Sequence, residues 1–132
     1  MSSWEPALWI LERSVDTIRF VVQTGRQTNC GGIARITVRG ERTASTSTVV
    51  DAGPREATRE YREAAMLEIR ERVQLQAGVL VTIEDDYDHP VDLSESKFAD
   101  AGHVAAAFLC AWLRSPDASE EELVSKAWSE EG

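Results

Sequence analysis

Y-D-H-P-V-D-L-S-E-S-K-F-A-D-A-G-H-V-A-A-A-F-L-C-A-W, residues 87–112, is the stretch that decides the fold. It opens as a tight polar turn around His89 and Pro90 and becomes a helix near Ser94. From there Phe98, Ala101, Ala105, Phe108 and Trp112 recur at helical spacing, which places them on one face. Asp92 and Glu95, three apart, form a capping-box start: a side-chain oxygen for the first free amides and a carboxylate reaching back. An exposed loop is thereby joined to the most hydrophobic helix of the chain.

Working outward, Gly78 stops an earlier helix, and V-L-V-T-I at 79–83 is a short continuous apolar strand of the kind found at the centre of a sheet. The earlier helix is predicted from Arg55 to Gln76, after Gly53-Pro54, with Tyr61, Ala65, Ile69 and Val73 on its apolar face. Glu60, Arg62, Glu63, Glu68 and Arg70 are expected on its solvated faces. Upstream, 17–23, 33–38 and 47–50 are β-rich runs with short links, which suggests an antiparallel meander. The glycine-rich 24–32 is a hairpin loop between two of them, and 4–11 is an added strand or a strap. Beyond S-P-D-A-S at 115–119, Ser119 and Glu122 form a second capping box for a helix over 120–128, with Leu123, Val124, Ala127 and Trp128 on one side. The order is β-β-β-α-β-α plus a C-terminal helix, an α+β two-layer sandwich in one domain over 1–132.

Charge is uneven. Residues 1–82 carry eleven arginines and ten acids, a net of +1, whereas residues 83–132 carry three cations and thirteen acids, a net of −10. Bare phosphate backbone would repel the second part, so any nucleic-acid surface must use the arginine-bearing part. No run of about 18 apolar residues offers a membrane span. The start M-S-S-W-E-P has no basic region followed by an apolar one, so a cytoplasmic location is expected. Cys30 and Cys110 have no partners at metal spacing and are expected to be reduced.

Few residues carry chemistry. Asp85, Asp86, Asp88, His89 and Asp92 have hard-cation donors but no EF-hand spacing, so a solvated loop is the simpler account and no metal or cofactor is expected. Capping accounts for Asp92 and Glu95, and Ser94 has no histidine–carboxylate constellation. His103, inside the apolar helix, is expected at a burial boundary. Arg26, Arg35, Arg39 and Arg42 could together make a binding surface. Val104, Leu109, Cys110 and Leu113 give the long helix an apolar girth wider than a sheet covers; the last helix is the expected cover, with a dimer or partner groove as the alternative.

Three blocks resemble domain IV of elongation factor G, which is also found in ribosomal protection proteins. Q-T-G-R-Q-T-N-C-G at 23–31 is similar to that family's glycine-rich first tip loop. E-Y-R-E-A-A-M-L-E-I at 60–69 places Glu60, Tyr61, Ala64 and Ile69 on its E-Y-x-x-A-x-x-x-x-I helix. H-P-V-D-L-S-E-S-K-F-A-D-A-G at 89–102 keeps the register of H-x-V-D-S-S-E-x-x-F-x-x-A-G without a gap. The resemblance covers 17–113, leaves 114–132 as a helical extension, and implies a ribosomal protein S5 domain 2-like fold. It also implies a non-enzymatic module whose tip loops, 24–32 and 87–95, contact the small ribosomal subunit or another translation component. Gly25, Arg26, Gln27, Thr28 and Asn29 fall in the first tip loop, and His89, Pro90 and Ser94 in the second, with His89 at the family's tip histidine.

The departures are specific. No G-x-x-x-x-G-K-[ST] is present, so no GTPase is implied. Arg26 and Thr28 replace family glycines, Pro90 replaces a polar residue, and E-D-D-Y-D leads acidically into His89. The alternative, from a different class, is an acidic protein–protein interaction module that engages a basic partner through its Asp/Glu-rich half.

Overall fold

A computed structural model describes residues 7–25, 33–73, 78–86 and 95–131, with side chains as far as Ala127. The central pair is β2 (Thr17–Gly25) and β3 (Ile33–Arg42), antiparallel and in unbroken register from Thr17 opposite Glu41 to Gly25 opposite Ile33. Alternation sends Ile18, Phe20, Val22 and Thr24, with Ala34, Ile36 and Val38 opposite, to the face that the helices cover. β1 (Ala7–Arg13) pairs antiparallel with β2, so the N-terminal segment is a true strand, with a bulge between Ile10 and Glu12.

The expected meander is corrected at its third strand. β4 (Thr48–Asp51) does not join β3; β5 (Val79–Asp86) takes that position, and β4 lies parallel to β5 at the far edge. The five-stranded order is β1-β2-β3-β5-β4. The reason is apolar content. Val79, Val81 and Ile83 are fully buried and suit the interior of a sheet, whereas β4 buries only Val49 and suits an edge. A helix between β4 and β5 makes the crossover that parallel pairing requires.

That crossover begins with a single 3-10 turn, Glu56–Thr58, and continues as α1 (Arg59–Val73). Ala65, Ile69 and Val73 are buried as expected, and the half-buried Tyr61 ring stands 5.3 Å from Phe98. α2 (Glu95–Arg114) is the core helix. Every residue from Phe98 to Trp112 is buried except Ala99, Asp100 and His103, which are half-buried. Sheet, α1 and α3 (Glu120–Glu131) share its circumference, which explains the wide apolar girth. Phe108 meets Phe20 of β2 at 4.7 Å, and Leu123 and Ala127 of α3 are fully buried in the same core. Ser119 caps α3, its hydroxyl accepting from the Glu122 amide at 3.1 Å.

Close approach of α2 to its neighbours is fixed by missing side chains. A Cβ on Gly102 would lie 2.3 Å from the Ala65 carbonyl oxygen of α1, and one on Gly40 would lie 2.6 Å from Leu109. The C-terminal end of α2 is held by Arg42, which donates to the carbonyls of Trp112 at 3.3 Å and Leu113 at 3.0 Å and stacks 4.8 Å above the Trp112 ring. Arg42 is thus a helix-end clamp rather than part of an arginine surface with Arg35 and Arg39.

Candidate contact site at one end of the sheet

The opposite end of the sheet gathers the roots of both loops. β2 ends and β3 begins at the paired residues Gly25 and Ile33, so 26–32 leaves there. β5 ends at Asp86, opposite Ile36 of β3, so 87–94 leaves beside it and the chain returns at Glu95. The hydroxyl of Thr24, 2% exposed, donates to the Lys97 carbonyl at 2.6 Å and ties the first loop's root to the second's return. Gly25 has φ 81°, a conformation that a side chain would strain. Of the residues expected to make the contact surface, Gly25 is therefore a strand-end hinge. Arg26, Gln27, Thr28, Asn29, His89, Pro90 and Ser94 lie outside the described residues, as do Asp88, Asp92 and Cys30.

Much of the motif has a packing role. Phe98 stacks on Tyr61, Ala101 and Ile69 are fully buried, and Gly102 admits Ala65. These positions secure the crossing of α1 on α2, a role in architecture rather than in contact chemistry.

The acidic run departs from expectation. Strict alternation from Val79, Val81 and Ile83 would turn Asp85 inward. The register slips between Thr37 and Val38, leaving Glu84 as the extra residue of a bulge, and Asp86 then faces the helices. There its carboxylate is wholly buried and meets Arg62 of α1, whose Nη1 donates to Asp86 Oδ1 at 3.2 Å. Arg62 is itself only 2% exposed, so neither residue belongs to a solvated face or loop. The same guanidinium donates from Nε to Asp51 Oδ1 at 2.7 Å and from Nη1 to the Arg55 carbonyl at 2.6 Å and the Thr58 hydroxyl at 3.0 Å. Gly53 leaves room for it, since a Cβ there would lie 2.4 Å from Arg62 Nε. Asp86 Oδ2 is buried without a hydrogen-bond partner among the described residues.

A second arginine closes the arrangement. Arg55 Nη1 donates to Asp85 Oδ1 and, at 2.6 Å, to the Asp86 carbonyl, while the Asp86 amide donates to Asp85 Oδ1 at 2.8 Å. Burial pushes the Asp51 carboxyl up, but the Arg62 hydrogen bond, the Gly53 amide and the charges of Arg62 and Arg59 outweigh it and hold the pKa below the ordinary value. Burial likewise works against the Arg62 charge, and Asp51 and Asp86 more than restore it, raising its pKa. Glu84 pairs with Arg19 of β2 at 2.5 Å. The three acids of the β5 end are thus matched by arginines of the first part of the chain, and of these only Asp86 is interior.

The helix-free face of the sheet carries further polar pairs. Arg19 also reaches Glu12 at 3.4 Å, Arg39 reaches Glu41 at 3.1 Å, and Arg35 donates to Gln23 while standing 5.8 Å from the Trp9 ring. A shallow depression of about 430 Å³ lies beside the loop roots, lined by Trp9, Val21, Arg35, Thr37, Arg55, Asp85 and Asp86. Another, of about 560 Å³, runs along α1 past Arg59, Glu63, Leu67 and Arg70. Neither brings a nucleophile to a base, and no three metal-ligating side chains cluster among the described residues. His103 is half-buried between α1 and α2, with Arg72 at 3.2 Å and Glu68 at 3.9 Å, as a boundary position predicts.

Fold and site together define an α+β domain that holds two loop roots side by side. The chain matches no protein-family model and no curated protein. Among the described residues, no helix is long and apolar enough to cross a membrane.

Proposed function

We propose that this chain is a non-enzymatic binding module, similar to domain IV of elongation factor G, that presents the loops 24–32 and 87–95 to the small ribosomal subunit in the cytoplasm. The observation that carries the reading is the convergence of both loop roots at one end of the sheet, where the Thr24–Lys97 bond joins them. A module that works by contact needs two loops held in fixed relation, and the arginine-pinned end of β5 supplies that on the side of His89. Pairing of Glu84, Asp85 and Asp86 with arginines offsets locally the charge that would otherwise oppose an RNA surface. With no phosphate-binding GTPase motif, the module binds without driving translocation.

Co-sedimentation with purified small subunits over a salt series tests the reading. Saturable binding that weakens with salt, and weakens further in Arg26→Glu and His89→Ala, is expected. Absence of binding at low salt would end it. A second reading is favoured by Glu120, Glu121 and Glu122, which are all exposed at the start of α3. A basic protein partner held there would be lost on neutralising these three residues and would be indifferent to Arg26 and His89.

A further inference from the structure

We infer that Arg55 is a positioning residue of the β5 end: by holding the last peptide of that strand from the side, it fixes the strand end from which the second loop starts. The inference deepens the proposed function and rests on it for its binding arm. β5 ends with little support from its own sheet. Its last ladder partner is Ile36 of β3 on one side, and on the other side β4 has already stopped at Asp51, opposite Ile83. The bulge at Glu84 has also interrupted the ladder just before this point. Arg55, in the turn after β4, fills the missing side: one guanidinium nitrogen donates to the Asp86 carbonyl at 2.6 Å and to the Asp85 carboxylate, and stands 3.7 Å from the Asp86 carboxylate. Asp85 in turn accepts from the Asp86 amide at 2.8 Å, so both polar groups of that peptide segment are tied to one ion pair.

Arg62 does different work. It is buried and anchors the Asp86 side chain and the β4 end to α1, so its loss is felt by the whole domain. The Arg55 side chain is 37% exposed, so it can be altered without opening a cavity in the core. It also lines the depression beside Trp9 and Thr37, which puts it on the rim of the proposed contact end.

The test compares Arg55→Gln and Arg55→Lys with Arg59→Gln. Arg59 is an exposed neighbour that pairs with Glu56 and Glu63 and acts on Asp51 through charge alone, so Arg59→Gln makes the same charge change without touching the β5 end. Three readouts are taken: hydrogen exchange at the Asp86 amide, thermal midpoint, and small-subunit co-sedimentation. In Arg55→Gln the Asp86 amide is expected to exchange about tenfold faster, the factor for one charge-assisted hydrogen bond, with the melting temperature close to wild type. Small-subunit affinity is expected to fall by a similar factor. Arg55→Lys is expected to fall between, and Arg59→Gln to match wild type in all three. Unchanged exchange at Asp86 would overturn the inference whether or not the protein binds ribosomes. Faster exchange with unchanged affinity would overturn the positioning role while leaving the proposed function intact. Failure of the wild type itself to bind would sink the proposed function, and the exchange result would still decide whether Arg55 orders the strand end.

Discussion

Arg62→Met is the substitution that interrogates the interior most directly. It keeps the bulk of the side chain and removes a guanidinium that is 2% exposed. Two carboxylates stay behind: Asp86, wholly buried, and Asp51, 21% exposed and still hydrogen-bonded to the Gly53 amide. Removing one partner of a buried ion pair costs about 3–5 kcal/mol, because the other charge is left without compensation. Asp51 keeps one donor and some water, and Asp86 keeps Arg55 at 3.7 Å, so the lower end, about 3 kcal/mol, is expected. Against the roughly 5–15 kcal/mol that holds an ordinary domain together, that is a large share. With a urea slope of about 2 kcal/mol per molar, the denaturation midpoint should drop by about 1.5 M at pH 7.

The pH dependence adds a second handle. The native pKa of Asp51 is depressed, so its contribution to stability is present above the unfolded carboxylate value of about 3.9 and is lost as pH falls through the native value. Without Arg62, burial acts with only the Gly53 amide and Arg59 against it, and the native pKa moves upward. The variant then gains relative to wild type as Asp51 protonates, and the gap should narrow between pH 7 and about pH 4. A midpoint within about 0.2 M of wild type at pH 7, or a gap that stays constant down to pH 4, would refute the account of a buried, charge-dependent clasp.

Gly102→Ala gains about 1 kcal/mol of helix propensity but must place a methyl 2.3 Å from the Ala65 carbonyl oxygen, and backbone cannot rotate aside. Overpacking of about 1–3 kcal/mol should win, lowering the thermal midpoint by a few degrees; a higher midpoint would show that the two helices separate freely. Ser119→Ala removes the hydroxyl that accepts from the Glu122 amide and should weaken α3 by about 1 kcal/mol. Faster amide exchange confined to the first turn of α3 is the signature to look for, and unchanged exchange there would mean that the cap is not used.

The elements were legible wherever local period carried them. The stripe from Phe98 to Trp112, the Ser119 cap and the apolar run from Val79 to Ile83 each announce their own structure. That β5 lies inside the sheet was legible in its apolar run, but its place between β3 and β4 was not, because it depends on comparing the apolar content of distant segments. Arg62 was missed for a related reason. Its helix neighbours are charged and solvated, and the acid it meets faces inward only because one residue, Glu84, bulges out of the alternation. The available signal was indirect: Asp51 and Asp86 each end a strand, and Gly53 clears the space between them. At the candidate site, Gly25 was expected in the glycine-rich loop and instead ends β2, and the arginine pinning at the end of β5 has no sequence signature of its own.

The sheet order has a consequence for how the molecule is made. The last strand to be synthesised is not the outermost one; it inserts between two that already exist. As the chain emerges, β1, β2 and β3 can pair at once, but β4 comes out with no strand neighbour, and α1 follows with only β4 to pack on, before β5 and its main partner α2 have been made. Arrival of residues 79–86 then joins both halves of the sheet in one event, and α2 seals it. A nascent chain halted before residue 79 holds a three-stranded fragment with an open edge, so completion is abrupt rather than incremental, and the interval before it is when a growing chain would most need a chaperone.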